Sequence, residues 1–483
     1  MQGKLLPCLL TLSAGLSLAA CVTIGPDYAP PAMDVPAAWN RLDKTAHPET
    51  EAAPVGDLGR WWRTLKDPLL SELVEEALRG SPDMRSAGAK LREARARRDV
   101  AAAGFFPEVT ASATYRRSRS SEDNGGGETR ELFSAGFDAT WELDVFGAVR
   151  RGVEAAEADL SATEATLQDT RVTLAAETAR NYVEVRTQQI LLRIARNNLA
   201  SQSETLQLTE WRAQAGLVGS QDVEQARTSR EQTRALIPRL EAALAEAEHR
   251  LEVLLGKAPG TMHARLGTEG RLPAVPEKIA VGIPADTLRR RPDVRSAERR
   301  LAAETARVGV AEAARYPSFT LSGTIGLEAL TLSAIGNSGS ATHSLLAGIT
   351  APLFNAGRLR SQVEIQDAVR EQALLTYEKT ILGALQDVEN ALVALARSSE
   401  RGEALEKAAA SARTAEQLAR QRYSSGLIDF QSVLDTQRTV LTVEESLAST
   451  RSESVLALIS LYKALGGGWS SWAETAPAGK DTP

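Results

Sequence analysis

The sequence Pro82-Asp83-Met84-Arg85-Ser86-Ala87 returns as Pro292-Asp293-Val294-Arg295-Ser296-Ala297, 210 positions further along the chain. The same offset relates punctuation residues throughout the sequence: Pro107 and Pro317, Gly147 and Gly357, Gly216-Leu217 and Gly426-Leu427, Leu255-Gly256 and Leu465-Gly466. Because prolines and glycines mark turns and the ends of helices, a constant offset means that insertions are almost absent. The chain therefore consists of two copies of one structural unit.

The composition is that of a helical globular protein. Hydrophobic residues make up 43% of the 483 positions, charged residues 24% and aromatic residues only 5%. The net charge of -6 gives no reason to expect a nucleic-acid partner. We predict no enzyme and no metal site, because no serine lies in a nucleophile elbow and the histidines lack metal-ligand spacing, at His47, His249, His263 and His343. The run Arg289-Arg290-Arg291 could bind an anion, but pairing with acidic neighbours is the simpler interpretation.

The N-terminus has the pattern of a bacterial lipoprotein signal. Lys4 precedes an apolar run over residues 5–20, too short for a spanning helix of ~20 residues, and the run ends in Leu18-Ala19-Ala20-Cys21. Cleavage before Cys21 would leave it as the lipid-bearing N-terminus, and Cys8 would leave with the signal. The alternative is an ordinary secretory signal that happens to end beside a cysteine. Val22 follows the cysteine, and in this the sequence resembles lipoproteins that are sorted to the outer membrane.

Alternating segments predict one β-hairpin in each repeat. Apolar residues occupy every second position of 133–145 and of the shorter segment 109–115, and the link between them contains Gly125-Gly126-Gly127. The second repeat shows the same alternation over 319–327 and 345–353. We therefore predict hairpins over 107–145 and 317–354, each with one apolar face. A half-buried sheet of a soluble protein would show the same pattern.

Long helices fill most of the remaining sequence. Apolar residues recur every seven positions, as in coiled packing, at Val153, Leu160, Leu167 and Leu174, and again at Leu374, Ile381, Val388 and Leu395. No proline lies between Gly147 and Gly216 or between Gly357 and Gly426, so each interval can form one helix of about 67 residues, roughly 100 Å long. Shorter helical stretches are predicted over 67–103 and 221–255. The pattern predicts hairpins at one end of a rod and helical turns at the other.

The number of strands is too small for a membrane barrel made by one chain. Four strands of about ten residues have the length of outer-membrane strands, but the smallest such barrels have about 8 strands. Three chains would supply twelve.

Several motifs together resemble the outer-membrane factor family, the OprM- and NodT-like lipoproteins of tripartite efflux pumps and their relatives in type I secretion. The resemblance rests on blocks that occur in order through the mature chain: Gly25-Pro26-Asp27-Tyr28, Trp61-Trp62, Asp67-Pro68-Leu69, Gly282-Ile283-Pro284-Ala285-Asp286, Arg291-Pro292-Asp293, Pro352-Leu353-Phe354, Arg422-Tyr423, Gly426-Leu427-Ile428 and Leu465-Gly466-Gly467-Gly468-Trp469.

The resemblance implies a mainly α fold with a membrane β-barrel. It implies a homotrimeric α/β-barrel duct, with a twelve-stranded barrel built from four strands per chain, a long helical barrel across the periplasm and an equatorial domain. The implied partners are a periplasmic adaptor (membrane fusion) protein, an inner-membrane transporter of the resistance-nodulation-division type and outer-membrane lipid, with no cofactor beyond the covalent lipid on Cys21. We expect a passive exit channel for small molecules; a type I protein-secretion duct and a periplasmic lipoprotein without a pore remain alternatives.

The resemblance also assigns roles to the helical turns. Asp435 would lie in the periplasmic constriction, and Asp222, Arg422, Tyr423 and Arg438 would be gate links. Gln431 stands where the family often has a bulky apolar residue, which puts an apolar occluding ring in doubt. The turns themselves, at Gly216, Leu217, Gly426 and Leu427, would dock the adaptor. Without the resemblance, Asp222 and Asp435 are ordinary acidic residues near the start of a helix, favoured there by the helix dipole.

These patterns divide the chain. We predict a signal peptide at 1–20, a lipidated N-terminal segment with equatorial contacts at 21–66 and the first repeat at 67–256. A linker follows at 257–284, then the second repeat at 285–466 and a C-terminal tail at 467–483.

Overall fold

A computed structural model describes residues 23–40, 50–51, 58–124, 126–267, 270–276 and 279–469. The predicted signal peptide and the predicted lipidation site, Cys21, lie outside the described residues. The helices are α1 (Pro68–Gly80), α2 (Pro82–Ala103), α3 (Ala148–Gln214), α4 (Ser220–Leu254), α5 (His263–Leu266), α6 (Pro284–Arg290), α7 (Pro292–Ala313), α8 (Arg358–Ser424) and α9 (Phe430–Ala464). The strands are β1 (Thr50–Glu51), β2 (Glu108–Arg119), β3 (Thr129–Leu143), β4 (Ile279–Ala280), β5 (Ser318–Ala329) and β6 (Ala341–Thr350).

The chain forms two compact units. One contains the N-terminal residues up to Ala32 together with Lys90–Glu164 and Ser296–Glu378, and therefore holds both hairpins. The other contains Met33–Ala89, Ala165–Arg295 and the residues from Lys379 onward, and holds both helical turns. Each repeat thus contributes to both units.

The two hairpins form one antiparallel sheet in the order β2-β3-β5-β6. This confirms the four predicted strands, although their ends differ from the prediction. Strand β3 begins at Thr129, four residues earlier than predicted, because its ladder with β2 continues through Glu131 opposite Arg117 after the apolar alternation has stopped. Strand β6 ends at Thr350, three residues before the predicted end, because β5 begins at Ser318 opposite Thr350 and offers no further partner.

The long helices α3 and α8 are confirmed, with 67 residues each. The predicted single helical stretch over 67–103 is wrong, since α1 and α2 are separate helices. Ser81 is extended, with ψ of 138°, because the ring of Pro82 disfavours the helical conformation in the residue before it. Arg291 before Pro292 is extended in the same way, with ψ of 121°.

The core of the second unit is built around the Trp61-Trp62 motif. Both indoles are buried, and the Trp61 ring stacks on Tyr462 with centroids 5.3 Å apart. Gly467 must be glycine there, because a Cβ atom would lie 2.9 Å from the Trp61 ring. The amide of Gly467 donates to the Tyr462 carbonyl at 2.8 Å, which confirms that this glycine run ends a helix.

Asp67 and Arg291 also serve the core of this unit. Asp67 caps α1 by accepting from the Leu70 amide, and it accepts a second bond from the Tyr182 hydroxyl at 2.8 Å. Burial raises the pKa of Tyr182 to about 12. Arg291 pairs with Asp293 at 2.7 Å and with Asp387 at 3.1 Å, as expected for an arginine with acidic neighbours.

Candidate functional site

One face of the four-stranded sheet is apolar and exposed. The pairing places Ala111, Phe137 and Ile325 side by side across three strands, so the predicted apolar positions share one face. The exposed fraction is 58% for Phe137, 65% for Ile325 and 69% for Ile349. A water-soluble chain rarely leaves so large an apolar surface open, and such a surface indicates contact with lipid or protein.

The apolar face is bounded at both ends. Near the hairpin tip, the ring of Tyr115 contacts Phe133, and its hydroxyl donates to Glu131 at 3.2 Å. At the opposite end, Trp141 donates its indole N–H to the Phe105 carbonyl at 3.1 Å. Eleven residues of β3 from Phe133 to Leu143 span about 26 Å along a membrane normal if the strand rises ~3.4 Å per residue and tilts ~40°. This length fits the apolar band of an outer-membrane barrel, ~25 Å tall.

The opposite face of the sheet is polar. Ser112 donates to the Asp138 carboxylate at 2.9 Å, and Thr324 and Ser344 share a hydrogen bond of 2.7 Å. Leu346 is an exception, an apolar side chain that is 66% exposed among these hydroxyls. The two faces are therefore suited to different environments, one apolar and one aqueous.

Both outer edges of the sheet lack a partner strand within the part of the chain that the structure describes. Strands β2 and β6 are the first and last in the sheet order. All twelve residues of β2 are exposed. An open edge next to an apolar face can pair with a further strand through its unpaired backbone groups.

The helical turns of the two repeats have the same backbone. The Leu217 amide donates to the Arg212 carbonyl and the Leu427 amide to the Arg422 carbonyl, both at 2.9 Å. Gly216 and Gly426 have φ of 71° and 75°, a conformation that glycine adopts without strain. Leu217 and Leu427 are 66% and 73% exposed, so the predicted docking turns present apolar tips.

Tyr423 is held inside its own chain. Its side chain is buried, and its ring lies 5.9 Å from that of Phe430. The guanidinium of Arg212 lies 4.5 Å from the centre of the Tyr423 ring and donates to the Tyr423 carbonyl. The Tyr423 hydroxyl lies 3.3 Å from that of Thr209. Arg212 was not among the predicted gate residues, although it precedes Arg422 by one repeat length.

The other predicted gate residues lie on the surface of the turns. Gln431 donates to the Asp435 carboxylate at 3.0 Å, and both side chains are exposed. Asp222 is half-buried in the first turn of α4. Arg422 and Arg438 are exposed and form no ion pair with another residue that the structure describes. The structure thus joins Gln431 to Asp435 and Arg212 to Tyr423, and leaves Arg422 and Arg438 open to solvent.

A buried arginine anchors the first described residues of the chain. Arg151 has a side chain only 4% exposed, and it donates to the carbonyls of Ile24 and Gly25 and to the Asp27 carboxylate at 2.7 Å. A Cβ atom on Gly25 would lie 2.3 Å from the Cα of Gly309, so the segment lies directly against α7. The sequence motif containing Gly25 and Asp27 is therefore a structural clamp.

Two kinds of feature are absent from the described residues. None of their helices is long and apolar enough to cross a membrane. No group of three His, Cys, Asp or Glu side chains among them is placed to bind a metal ion.

The profile of the family described as outer membrane efflux protein matches residues 73–257 and again residues 283–467. The chain belongs to this family. The two matched segments begin 210 residues apart, the same offset that relates the repeats. The protein is thus an outer-membrane efflux channel that extends into the periplasm.

Individual family members resemble the chain over nearly its whole length. The pyoverdine export outer membrane protein OpmQ of Pseudomonas putida is 33% identical, over 97% of this chain and 98% of OpmQ. The solvent efflux pump outer membrane protein SrpC of Pseudomonas putida is 31% identical, over 97% of this chain and 99% of SrpC. The solved structure of the outer-membrane channel OprN is 37% identical with a TM-score of 0.86, over 92% of this chain and 99% of that structure. These relatives are efflux channels rather than enzymes.

Proposed function

We propose that three copies of this chain form one closed duct. The sheets would join into a twelve-stranded barrel in the outer membrane, with the apolar faces toward lipid and the polar faces toward water. The long helices α3 and α8 would form the wall of a helical barrel in the periplasm. Transport through such a duct is passive and non-enzymatic, and its energy comes from an inner-membrane transporter.

The observation that carries this proposal is the open sheet with one apolar face. A membrane-spanning sheet cannot keep free edges, because unpaired backbone groups in lipid cost several kcal/mol each. Four strands are too few to close a barrel. A trimer removes all the edges at once, whereas a periplasmic spacer without a pore leaves both the edges and the apolar face unexplained.

The N-terminal clamp supports lipid anchoring at Cys21. The Ile24 amide donates to the Phe146 carbonyl at 3.2 Å, and a Cβ atom on Gly147 would lie 3.0 Å from the Thr23 Cα. Two residues reach at most about 7 Å, so a lipid on Cys21 would enter the membrane close to where β3 ends. Its contribution would be supplementary, since one acyl chain alone binds membranes only marginally.

The partners that fit this duct are a periplasmic adaptor protein and a transporter of the resistance-nodulation-division type. The exposed Leu217 and Leu427 at the two turns would be the adaptor's docking points. OpmQ is named for pyoverdine and SrpC for solvents. Related channels thus serve chemically different substrates, which supports substrate selection by the transporter and a small-molecule cargo here.

The turns would also form the periplasmic gate. Threefold symmetry would bring three Asp435 carboxylates together at the constriction, where like charges repel one another. Gln431 donates to Asp435 within the chain, so a polar ring would replace an apolar one. Asp222, Arg422 and Arg438 would make links between neighbouring chains, and Tyr423 would keep the turn in position through Arg212.

A variant with Cys21→Ser behind an ordinary secretory signal tests the duct. We expect it to fractionate with the outer membrane as a trimer that resists SDS without heating, because the barrel buries far more apolar surface than the lipid does. In planar bilayers it should form channels like those of the lipidated protein. Recovery as a soluble monomer without detergent would refute the barrel.

A further inference from the structure

The two hairpins have the same internal register. In the first hairpin Glu108 pairs with Thr140, and in the second Ser318 pairs with Thr350. Each residue of the second pair lies 210 positions after its counterpart in the first. The sequence repeat is therefore also a repeat of the hydrogen-bond ladder.

A single joint connects the hairpins. Strand β3, the last of the first hairpin, pairs with β5, the first of the second hairpin, so that Ser134 lies opposite Glu328 and Thr140 opposite Ser322. The free edges of the sheet are the corresponding strands of the other repeat, since β6 corresponds to β3 and β2 corresponds to β5. A second copy of the chain could extend the sheet through the same joint.

We propose that β6 of one chain pairs with β2 of the next chain in the register of the β3–β5 joint, with β6 in the place of β3 and β2 in the place of β5. Ser344 then lies opposite Ser118, Ala347 opposite Tyr115 and Thr350 opposite Ser112. This inference rests on the trimeric barrel proposed above, and it specifies the partner surface of each chain residue by residue.

The end of β6 supports this register. In the isolated chain β6 stops at Thr350, and Leu353 and Phe354 after it are 95% and 91% exposed. The counterpart of Leu353 is Leu143, which is half-buried and lies opposite Phe319. In the proposed register Leu353 lies opposite Val109, which is itself 61% exposed. The ladder would thus continue over Ala351, Pro352 and Leu353, which have no partner strand among the described residues of the single chain. Pro352 can accept a hydrogen bond there but cannot donate one.

The polar face supplies a second argument. Two leucines, Leu132 and Leu346, lie on that face, and Leu132 stands opposite Arg116 within the chain. The proposed register places Leu346 on the other side of Arg116, whose apolar stem can cover a leucine while its charge stays in water. The corresponding residues of the internal joint are Gly136 and Gly326, where a Cβ atom on Gly136 would lie 2.6 Å from the Ile325 carbonyl oxygen. Leu346 and Arg116 have Cβ atoms, so the two strands must lie further apart at the interchain joint than at Gly136 and Gly326. The register can nevertheless be the same.

Other registers differ in whether they keep apolar residues of neighbouring strands on the same face of the sheet. A shift by one residue would turn Leu345 and Ile349 to the polar side of the neighbouring strand, which the alternation excludes. Shifts by two or four residues preserve the faces and can be separated only by measuring which residues are neighbours.

Disulfide trapping measures this directly. The sequence contains only two cysteines, Cys8 and Cys21, so background crosslinking is small. Ser344→Cys is combined in turn with a cysteine at Ser112, Thr114, Arg116 or Ser118, four positions on the polar face of β2, or at Ser120, just beyond its end. Ser134→Cys with Glu328→Cys, the corresponding pair of the β3–β5 joint, is the matched control within the chain. Outer membranes containing each variant are oxidised and run on a non-reducing gel.

We expect Ser344→Cys with Ser118→Cys to give covalent dimers and trimers at least about fivefold more efficiently than any other combination. A shift of two residues moves a Cα by ~6.8 Å, which takes the pair beyond the ~7 Å limit for a disulfide. A maximum at another β2 position would overturn the register while leaving the barrel intact. If the control disulfide forms and no β2 position gives interchain products, the trimeric barrel itself is wrong.

Discussion

In the first repeat the turn before α4 carries Gly219, whereas the second repeat has Asp429 at the corresponding position before α9. Gly219 provides no side-chain cap, while the Asp429 carboxylate accepts from the Ser432 amide at 3.0 Å. Likewise, Arg212 stacks on Tyr423, but its counterpart Arg422 is exposed and the counterpart of Tyr423 is Ala213. The two repeats share the backbone conformation of these turns and differ in the side chains that cap the helices and stack there.

The largest expected effect concerns the apolar face, which both repeats share. Arg at Phe137 or at its counterpart Ala347 should each destabilise the barrel by ~2–4 kcal/mol, the cost of a lipid-facing Arg near the bilayer midplane. Arg at Thr140 or its counterpart Thr350, on the polar face, should be tolerated. The fraction of trimer that survives heating in SDS measures the difference. Equal losses on both faces would argue for a sheet that is buried on both sides.

The next effect separates the two arginines of the turns. Arg212→Ala removes a guanidinium that stacks on Tyr423 and donates to its carbonyl. The loss should destabilise the turns by about 1–3 kcal/mol, the usual range for a charged hydrogen bond together with a cation–π contact. Faster amide hydrogen exchange in residues 205–230 and 415–440 would show it.

Arg422→Ala provides the matched control within the same experiment. Arg422 is exposed, and its replacement removes no side-chain hydrogen bond or ion pair among the described residues, so local hydrogen exchange should stay unchanged. If Arg422 links neighbouring chains, its removal should still raise the closed-state conductance in planar bilayers. Identical exchange and identical small conductance in both variants would remove both arginines from the gate.

A smaller effect is expected at the helix caps. Hydrogen bonds from the Ser432 hydroxyl and amide lower the pKa of Asp429. A carboxyl group whose pKa is lower in the folded state stabilises the fold above its unfolded pKa of ~3.9, and this contribution is lost as pH falls through the folded pKa. Asp429→Ala should therefore speed hydrogen exchange in the first turn of α9 a few-fold at neutral pH, and progressively less as the pH falls through the folded pKa of Asp429.

Gly219→Ala is the control for the cap in the other repeat. Gly219 has φ of -83°, which alanine adopts readily, and no side-chain bond is lost. Because glycine is a better N-cap residue than alanine, exchange at the start of α4 can rise somewhat, but the change should be the same at either pH, since no titrating side chain is removed. A pH-dependent change at α4 equal to that at α9 would show that the effect does not come from the Asp429 side chain.

The sequence was most informative where local pattern determines structure. Alternation predicted all four strands, and the absence of proline predicted α3 and α8. The pattern failed at β3, where Arg130 and Glu131 continue the ladder beyond the apolar alternation, because backbone hydrogen bonding does not depend on apolar side chains. It also failed at Ser81, because Pro82 disfavours the helical conformation in the residue before it.

Long-range contacts could not be predicted in this way. Arg212 and Tyr423 lie 211 residues apart, and nothing in the local sequence of either residue specifies the other. Arg151 reaches back 124 residues to Asp27 and has no recognisable pattern around it. The repeat does contain one indication of Arg212, since arginine occupies the corresponding positions 212 and 422 in the two repeats. A position shared in this way can have a different role in each repeat.

The smallest structural effect is expected at Asp435, whose counterpart in the first repeat is Gln225. Asp435 is exposed and accepts one hydrogen bond from Gln431, so Asp435→Ala should change the free energy of unfolding by no more than about 0.5 kcal/mol. Its effect should appear in the pore, because three carboxylates at a constriction attract cations. The reversal potential in a salt gradient should therefore shift toward weaker cation preference in Asp435→Ala and also in Asp435→Asn, which keeps the size of the side chain. Gln225→Ala should leave the potential unchanged. If the three variants match the unmodified channel in selectivity, Asp435 does not line the narrowest point, and the first and second repeats contribute equally little charge to it.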